Sequence, residues 1–142
     1  MVGETELAER CHGSNEEGIL GLFLQELSTD LHAEQQLLKE MLERIGGAQS
    51  LVKQGMAWLA EKGGRFRLND ALLEYSDLSR LVELETLFVA AQERRSFWEN
   101  LQAARGTDKR LSPIDFVRRQ QQALRHAEAL TKHRLDAVRK AI

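Results

Sequence analysis

The sequence predicts an all-α protein, an antiparallel up-down four-helix bundle with a short second helix. The chain of 142 residues contains one proline, Pro113, and is rich in Leu, Ala, Glu, Gln and Arg, which are good helix formers. Apolar residues recur at spacings of three and four, and paired glycines interrupt this pattern. Helices with short connections pack antiparallel to their neighbours, so these features together favour a bundle.

The first two helices are bounded by a polar segment and by glycine pairs. Residues 1–13 lack apolar periodicity and are predicted to be a flexible N-terminal tail, which leaves 14–142 as a single helical-bundle domain. Ser14, three residues before Glu17, forms a capping-box pattern at the start of the first helix. One glycine pair ends this helix, and a second pair ends the short helix predicted over residues 48–62.

The third and fourth helices follow the same logic. The third is predicted over residues 70–105, with a kink or restart near Ser76, and a glycine ends it. The fourth begins at Ser112 as N-cap, with Pro113 at the first helical position, where a missing N–H costs nothing. The three long helices should each measure about 45 Å, at about 1.5 Å per residue.

The charge and composition narrow the classes of function. The formal net charge is −2, so the whole molecule has no general attraction to nucleic acid or to anionic membranes. Cys11 is the single cysteine, which excludes a disulfide framework and a CxxC pair. Neither a signal segment nor an apolar run of about 20 residues is apparent, so a cytoplasmic location and no membrane partner are expected.

The basic residues concentrate at the end of the sequence. Residues 108–142 carry nine basic and four acidic side chains, whereas residues 1–50 carry three basic and ten acidic ones. An acidic first helix packed beside a basic last helix accounts for this asymmetry. The alternative is a nucleic-acid footprint on the basic face of the last helix, whose members are Arg118, Arg125, Lys132 and Arg139.

Two histidines in the stretch HAEALTKH invite a metal-site interpretation. On a helical wheel His126 and His133 fall on the polar side of the last helix, among its cations. Neighbouring cations disfavour both a bound metal ion and a protonated imidazole. A separation of seven residues is about 10 Å along a helix, too far to share one ion. The wheel therefore predicts that both histidines face solvent.

Several carboxylates, in contrast, fall on predicted apolar arcs. Glu34 lies between Leu27 and Met41 in the first helix, and Glu85 and Glu128 occupy comparable positions in the third and fourth. A buried carboxylate requires a partner, a proton or a metal. One interpretation is a buried polar network, with the arginine paired to the carboxylates, whose members are Glu34, Glu85, Gln92 and Arg95. The other is a metal centre, whose ligands are Glu34, Glu85 and Glu128.

With carboxylates directed inward, the predicted bundle resembles the ferritin-like superfamily in architecture. Those antiparallel bundles hold two irons between inward glutamates, two of which belong to Glu-x-x-His pairs. Glu34 and Glu85 are similar to the single carboxylate positions of that family, but no Glu-x-x-His pair falls within the four predicted helices. The resemblance implies iron or manganese as cofactor; without it, no cofactor is expected.

These patterns predict a non-catalytic helical bundle that acts through protein–protein contacts, with a protein partner or by self-association as a homodimer. No phosphate-binding glycine loop and no Ser-His-Asp arrangement is apparent in the sequence, so no catalytic or cofactor-binding residue is assigned. The first alternative is a ferritin-like, carboxylate-bridged metal-binding or redox protein. The second alternative is a nucleic-acid binder that uses the basic face of the last helix.

Overall fold

A computed structural model of the chain describes residues 2–45, 74–105, 109–111 and 113–142. These residues form four α-helices and a short 3-10 turn. They are α1 (Val2–Ser14), α2 (Gly18–Ile45), α3 (Asp77–Arg105), the turn at Lys109–Leu111, and α4 (Phe116–Ala141). The described residues contain no β-strand, so the all-α prediction is confirmed. The short helix predicted over residues 48–62 lies outside the described residues.

The prediction of a flexible tail over residues 1–13 is wrong, because residues 2–14 form helix α1. Leu7, Ala8 and Cys11 are buried on one face of α1, and Glu4 continues that face. This stripe is short and half polar, so it carries too weak an apolar periodicity to be recognised in the sequence. The first helix therefore does not begin at Ser14, which ends α1, and α2 begins at Gly18.

The starts of α3 and α4 have recognisable caps. The hydroxyl of Ser76 accepts a hydrogen bond from the backbone N–H of Ser79 and caps α3. The helix begins at Asp77, where a restart was expected. The side chain of Asp115 accepts from the backbone N–H of Arg118 across 3.0 Å and caps α4. The predicted start at Ser112 was a few residues too early, because an aspartate nearer the helix serves as the cap.

Helix α4 is antiparallel to α3 and to α2. Against α3, the later residue Arg134 meets the earlier Glu85, while the earlier Gln120 meets the later Gln102. Against α2, the contacts reverse in the same way: His126 bonds to Asp30, and His133 stacks on Phe23. Helices α2 and α3 therefore run parallel to each other, both packed against α4.

Helix α1 is antiparallel to the other two. Its Thr5 accepts from Gln35 of α2, and its Glu9 pairs with the earlier residue His32. Glu4 of α1 bonds to Arg94 near the end of α3. Each helix thus contacts two antiparallel neighbours, in the circular order α1, α2, α4, α3, which is the arrangement of an antiparallel bundle.

A polar layer divides the interior into two apolar halves. One half contains leucines and small residues from all four helices; the other is built around Trp98 and Phe116. Between them lie Glu34, Arg94 and His126, all buried. On α2 and α3 the charged residue of the layer is flanked by members of both halves. A layer of this kind must satisfy its own charges, because water does not reach it.

The buried faces of α3 and α4 differ from the predicted ones. On α4 the predicted buried arc contained two columns, and the one formed by Phe116, Ala123, Leu130 and Ala137 is buried as expected. The other column begins at Val117 and Leu124, and both of these residues are exposed. On α3 the core positions follow Leu84, Leu87, Ala91, Arg94 and Trp98. The alanines Ala91, Ala123, Ala127 and Ala137 are buried, whereas Val82, Val89 and Val117 are exposed.

Candidate functional site

The guanidinium group of Arg94 lies at the centre of the polar layer and bonds to three other helices. Its Nε donates to Oε1 of Glu4 across 2.9 Å, and its Nη1 donates to Oε2 of Glu34 across 2.7 Å. Its Nη2 donates to Nδ1 of His126 across 3.0 Å. The Arg94 side chain has no exposed surface. One residue of α3 thereby binds α1, α2 and α4 together.

Trp98 completes the environment of Glu34. The indole Nε1 of Trp98 donates to Oε1 of Glu34 across 2.8 Å, one turn of α3 beyond Arg94. Both oxygens of this carboxylate therefore accept a hydrogen bond, one from each residue. Residues i and i+4 lie on the same helical face, so Arg94 and Trp98 reach the same acceptor. The Trp98 ring also stacks on Phe116, with 6.0 Å between ring centroids.

The contacts of His126 fix its tautomer. A guanidinium group has donors only, so Nδ1 of His126 accepts from Arg94 and carries no proton. Nε2 then carries the proton and donates to Oδ2 of Asp30 across 2.8 Å. Asp30 is partly exposed, with 27% of its side chain accessible. The chain of hydrogen bonds runs from the buried Glu4 through Arg94 and His126 to the protein surface at Asp30.

We term Glu4, Glu34, Arg94 and His126 the cluster. The pKa values of these groups are shifted mainly by their burial. Burial, together with the positive charge of Arg94, lowers the pKa of His126 below its ordinary value, although Asp30 opposes this shift. Burial likewise raises the pKa of Glu4, although Arg94 opposes it. Burial alone would lower the pKa of Arg94, but Glu4 and Glu34 outweigh it and raise that pKa. At neutral pH we therefore describe a charged arginine beside a neutral imidazole.

One oxygen of the cluster has no hydrogen-bond partner. Oε2 of Glu4 is buried and unbonded, while Oε1 of the same carboxyl accepts from Arg94. A buried carboxylate oxygen without a hydrogen bond is costly, which agrees with the upward direction of the pKa shift of Glu4. Glu34, in contrast, accepts a hydrogen bond at each of its oxygens.

The cluster is enclosed by protein. Two surface grooves, of about 990 Å³ and about 290 Å³, are lined by residues outside the cluster. The larger lies between the α1–α2 connection and the end of α4, and the smaller lies beside Pro113. The cluster therefore holds the helices together without opening onto either groove.

Of the predicted inward residues, only Glu34 is buried. The structure places Glu85, Gln92, Arg95 and Glu128 on the surface, where Glu85 pairs with Arg134 across 3.2 Å. The prediction for α3 was displaced by about one residue, roughly 100° around the helix, so that Arg95 was chosen in place of Arg94. The expected network thus exists around Glu34, with different members.

The prediction that both HAEALTKH histidines face solvent is wrong for His126. That side chain is only 5% exposed and belongs to the cluster. His133 is partly buried and stacks on Phe23, with 5.2 Å between the ring centroids, and burial lowers the pKa of His133. On the helical wheel His126 lies about 60° from the buried column of α4, so it borders the core and does not face solvent.

No group of three or more His, Cys, Asp or Glu side chains within the described ranges is arranged to hold a metal ion. A Glu-x-x-His spacing does occur at Glu9 and His12, in the segment that was expected to be a tail. Glu9 is exposed and pairs with His32 on α2, so this spacing lies on the surface of α1, away from Glu34.

Four members of this site were not predicted from the sequence: Glu4, Asp30, Arg94 and, in its role as a hydrogen-bond donor, Trp98. Arg94 carries a usable signal, because Leu87 and Ala91 precede it on one helical face and Trp98 follows it. A charged residue inside an apolar column requires a counterion. Glu4 and Asp30 carry no comparable signal, since each meets its partner only through the packing of different helices.

The four cations of the predicted basic face, Arg118, Arg125, Lys132 and Arg139, are all exposed along α4. None of the described helices combines the length and the apolarity that crossing a membrane would require. In comparisons of the chain with known proteins, no family model, curated protein or solved structure matches it.

Proposed function

We propose that this chain is a non-catalytic helical bundle that acts through protein–protein contacts made by the outer face of α3 and α4. The supporting observation is a set of exposed apolar side chains on these two helices, which we term the apolar stripe. Its members are Leu78, Val82, Val89, Val117, Leu124 and Leu135, which are 37–62% exposed.

Within each helix the members of the apolar stripe share a face, because they are spaced by four, seven or eleven residues. The ion pair between Glu85 and Arg134 bridges the two helices. Val82 and Val89 flank Glu85 on the outward side of α3, and Leu135 follows Arg134 on α4. Isolated apolar side chains are common on protein surfaces, but a continuous apolar face is typical of an interaction site.

The interior favours this proposal over a ferritin-like metal centre. Both oxygens of Glu34, the one buried carboxylate of the predicted ligand set, already accept hydrogen bonds from Arg94 and Trp98. The guanidinium supplies the positive charge that a metal would bring to the carboxylates. The other two predicted ligands, Glu85 and Glu128, lie on the surface.

The setting of the basic face also favours a protein partner over nucleic acid. Arg118 and Arg125 directly follow Val117 and Leu124, so the cations border the apolar stripe. Apolar side chains between cations gain little from a phosphate backbone, whereas they bury surface against a protein. If the purified chain binds neither DNA nor RNA at moderate salt, the nucleic-acid alternative is excluded.

A photo-crosslinking amino acid in the full chain tests the proposal. Placed at Val89 in the apolar stripe, it should give discrete protein adducts, and placed at Gln36, an exposed position on α2, it should not. A partner identified by mass spectrometry should then bind the purified chain and lose affinity for the Leu124→Gln/Leu135→Gln variant. Adducts of the same pattern from both positions, or unchanged affinity for the variant, would contradict the proposal.

A further inference from the structure

We infer that the partner of this surface is an acidic amphipathic helix that lies along α4 in coiled-coil register. This inference rests on the proposed function and adds the chemistry of the partner. It follows from the arrangement of two columns of side chains on α4, one largely apolar and one basic, and from the charges that these columns leave uncompensated.

The first column repeats every seven residues. Val117, Leu124, Thr131 and Val138 succeed one another at heptad spacing, and the first two are exposed. Beside it on the same face, a second heptad column consists of the exposed residues Gln121, Glu128, Leu135 and Ile142, of which the last two are apolar. A seven-residue apolar repeat on a free helical face is the pattern through which two helices pack as a coiled coil. We refer to this face as the α4 seam.

The second column immediately follows the first in the sequence, one residue later in each heptad. Its members are Arg118, Arg125, Lys132 and Arg139. It extends over six turns of helix, about 31 Å at about 1.5 Å per residue. In coiled coils the positions that flank the apolar seam carry the charges that select the partner and its orientation. A column of cations at these positions selects a helix with acidic flanks.

The basic column has little compensation from the described part of the chain. Arg118, Arg125 and Lys132 make no side-chain ion pair with any described residue, and Arg139 contacts the exposed Asp136 only at 3.6 Å. Glu128 lies within the seam and offsets part of the charge, since it is three residues from Arg125 and four from Lys132. The surface nevertheless keeps a surplus of positive charge beside its apolar seam.

A second copy of α4 would not supply the missing acids. In an antiparallel pairing the basic columns of two copies would face each other, which like charges disfavour. In a parallel pairing each basic column would face the residues on the other flank of the seam. Those residues are Gln120, Ala127, Arg134 and Ala141. None of them is acidic, so the charge pattern points to a different chain.

Synthetic peptides of about four heptads provide the probe. The first carries leucine at both seam positions and glutamate at both flanking positions, and two matched peptides carry glutamine or lysine at the flanks. Binding to the full chain is measured by fluorescence anisotropy. Four surface ion pairs of a few tenths of a kcal/mol each predict that the glutamate peptide binds about tenfold more tightly than the glutamine peptide. The difference should shrink at about 1 M salt, where surface charges are screened.

Charge reversal on the protein supplies the matched test. The Arg125→Glu/Lys132→Glu variant leaves two cations and two carboxylates in the column, so it should abolish the preference, and the glutamate peptide should bind no more tightly than the glutamine peptide. The Lys39→Glu/Arg44→Glu variant changes the net charge equally at exposed positions on α2 and should leave the order unchanged. Circular dichroism of both variants establishes that they are folded.

The outcomes separate the inference from the proposed function. One outcome is that the glutamate and glutamine peptides bind with equal affinity and that the Leu124→Gln/Leu135→Gln variant binds neither. The apolar surface would then be an interaction site, but the inference of an acidic partner would be wrong. If no peptide binds, if the full chain self-associates through this face, or if duplex DNA binds in place of the peptides, the inference is overturned. The proposed function is tested by a different result. It is wrong if the Leu124→Gln/Leu135→Gln variant binds the crosslinked partner with unchanged affinity.

Discussion

The guanidinium group of Arg94 donates to Oε2 of Glu34 across 2.7 Å, and neither side chain has any exposed surface. An ion pair without access to water is costly to form and more costly to break, because the remaining charge then has no partner.

Replacement of the two buried glutamates should have unequal effects. Glu34→Gln removes one of two acceptors and directs an NH₂ group at either Arg94 or Trp98, so it should cost about 2–4 kcal/mol of unfolding free energy. Glu4→Gln keeps the single acceptor that Glu4 uses, so it should change stability by about 1 kcal/mol or less. Urea denaturation measures both.

The comparison between these two variants is its own control, since both remove one carboxylate from the same cluster. Equal losses of stability in the two variants would contradict this expectation. They would mean that the second hydrogen bond accepted by Glu34 contributes nothing to the stability of the fold. A large loss for Glu4→Gln alone would place the essential ion pair on α1 and not on α2.

His126 should make the protein less stable in mild acid. Because burial lowers its pKa in the folded state below the ordinary 6.5, the unfolded chain takes up the proton first. The stability that His126 contributes is therefore complete above about pH 6.5 and is lost as the pH falls through the folded pKa. The free energy of unfolding should decline as the pH falls below about 6.5, and His126→Gln should show a smaller decline.

The groups around His126 define the control. The pKa of His133 is also lowered, so a residual decline is expected in the variant. The raised pKa of Glu4 has the opposite effect, because it makes the folded state more stable as the pH falls. Glu4 is present in the original chain and in the His126→Gln variant, so its effect cancels in the comparison. Asp30, Glu34 and Arg94 are likewise unchanged. A His32→Gln variant, altered at an exposed histidine, should retain the full decline; equal slopes in all three chains would exclude the assignment to His126.

Two glycines near the α1–α2 connection should respond oppositely to alanine. A Cβ atom on Gly21 would lie 2.2 Å from the carbonyl oxygen of Glu16, whereas one on Gly13 would meet nothing within 4 Å. Gly21→Ala must displace this backbone and should cost about 1–3 kcal/mol. Gly13→Ala, within α1, should be neutral or stabilise by up to about 1 kcal/mol. Thermal unfolding compares them; an unaffected Gly21→Ala would mean that the connection follows another path.

The helical class and the burial of Glu34 could be predicted from the sequence, because both follow from periodicity along one segment. The rotation of α3 and α4 could not. Val82, Val89 and Leu124 are more apolar than Ala91 or Ala127, so hydropathy assigns them to the core. The structure buries the alanines, because close helix packing requires small side chains, and leaves the larger residues as the apolar stripe.

The members of the charged cluster show the same limit. Arg94 and Arg95 are adjacent in the sequence but about 100° apart on the helix, so a small error in the wheel exchanges the buried residue for an exposed one. The pair of Glu4 and Arg94 spans 90 residues. Its formation depends on α1 packing against α3, which no local pattern in the sequence encodes.

The central claim is that Arg94 is the counterion that holds the interior of the bundle together. Equilibrium unfolding of Arg94→Met tests it most directly, with Arg95→Met as the matched control at an exposed position. We predict that Arg94→Met loses about 3–5 kcal/mol and that Arg95→Met changes by less than about 0.5 kcal/mol. Losses of equal size in the two variants would contradict the claim.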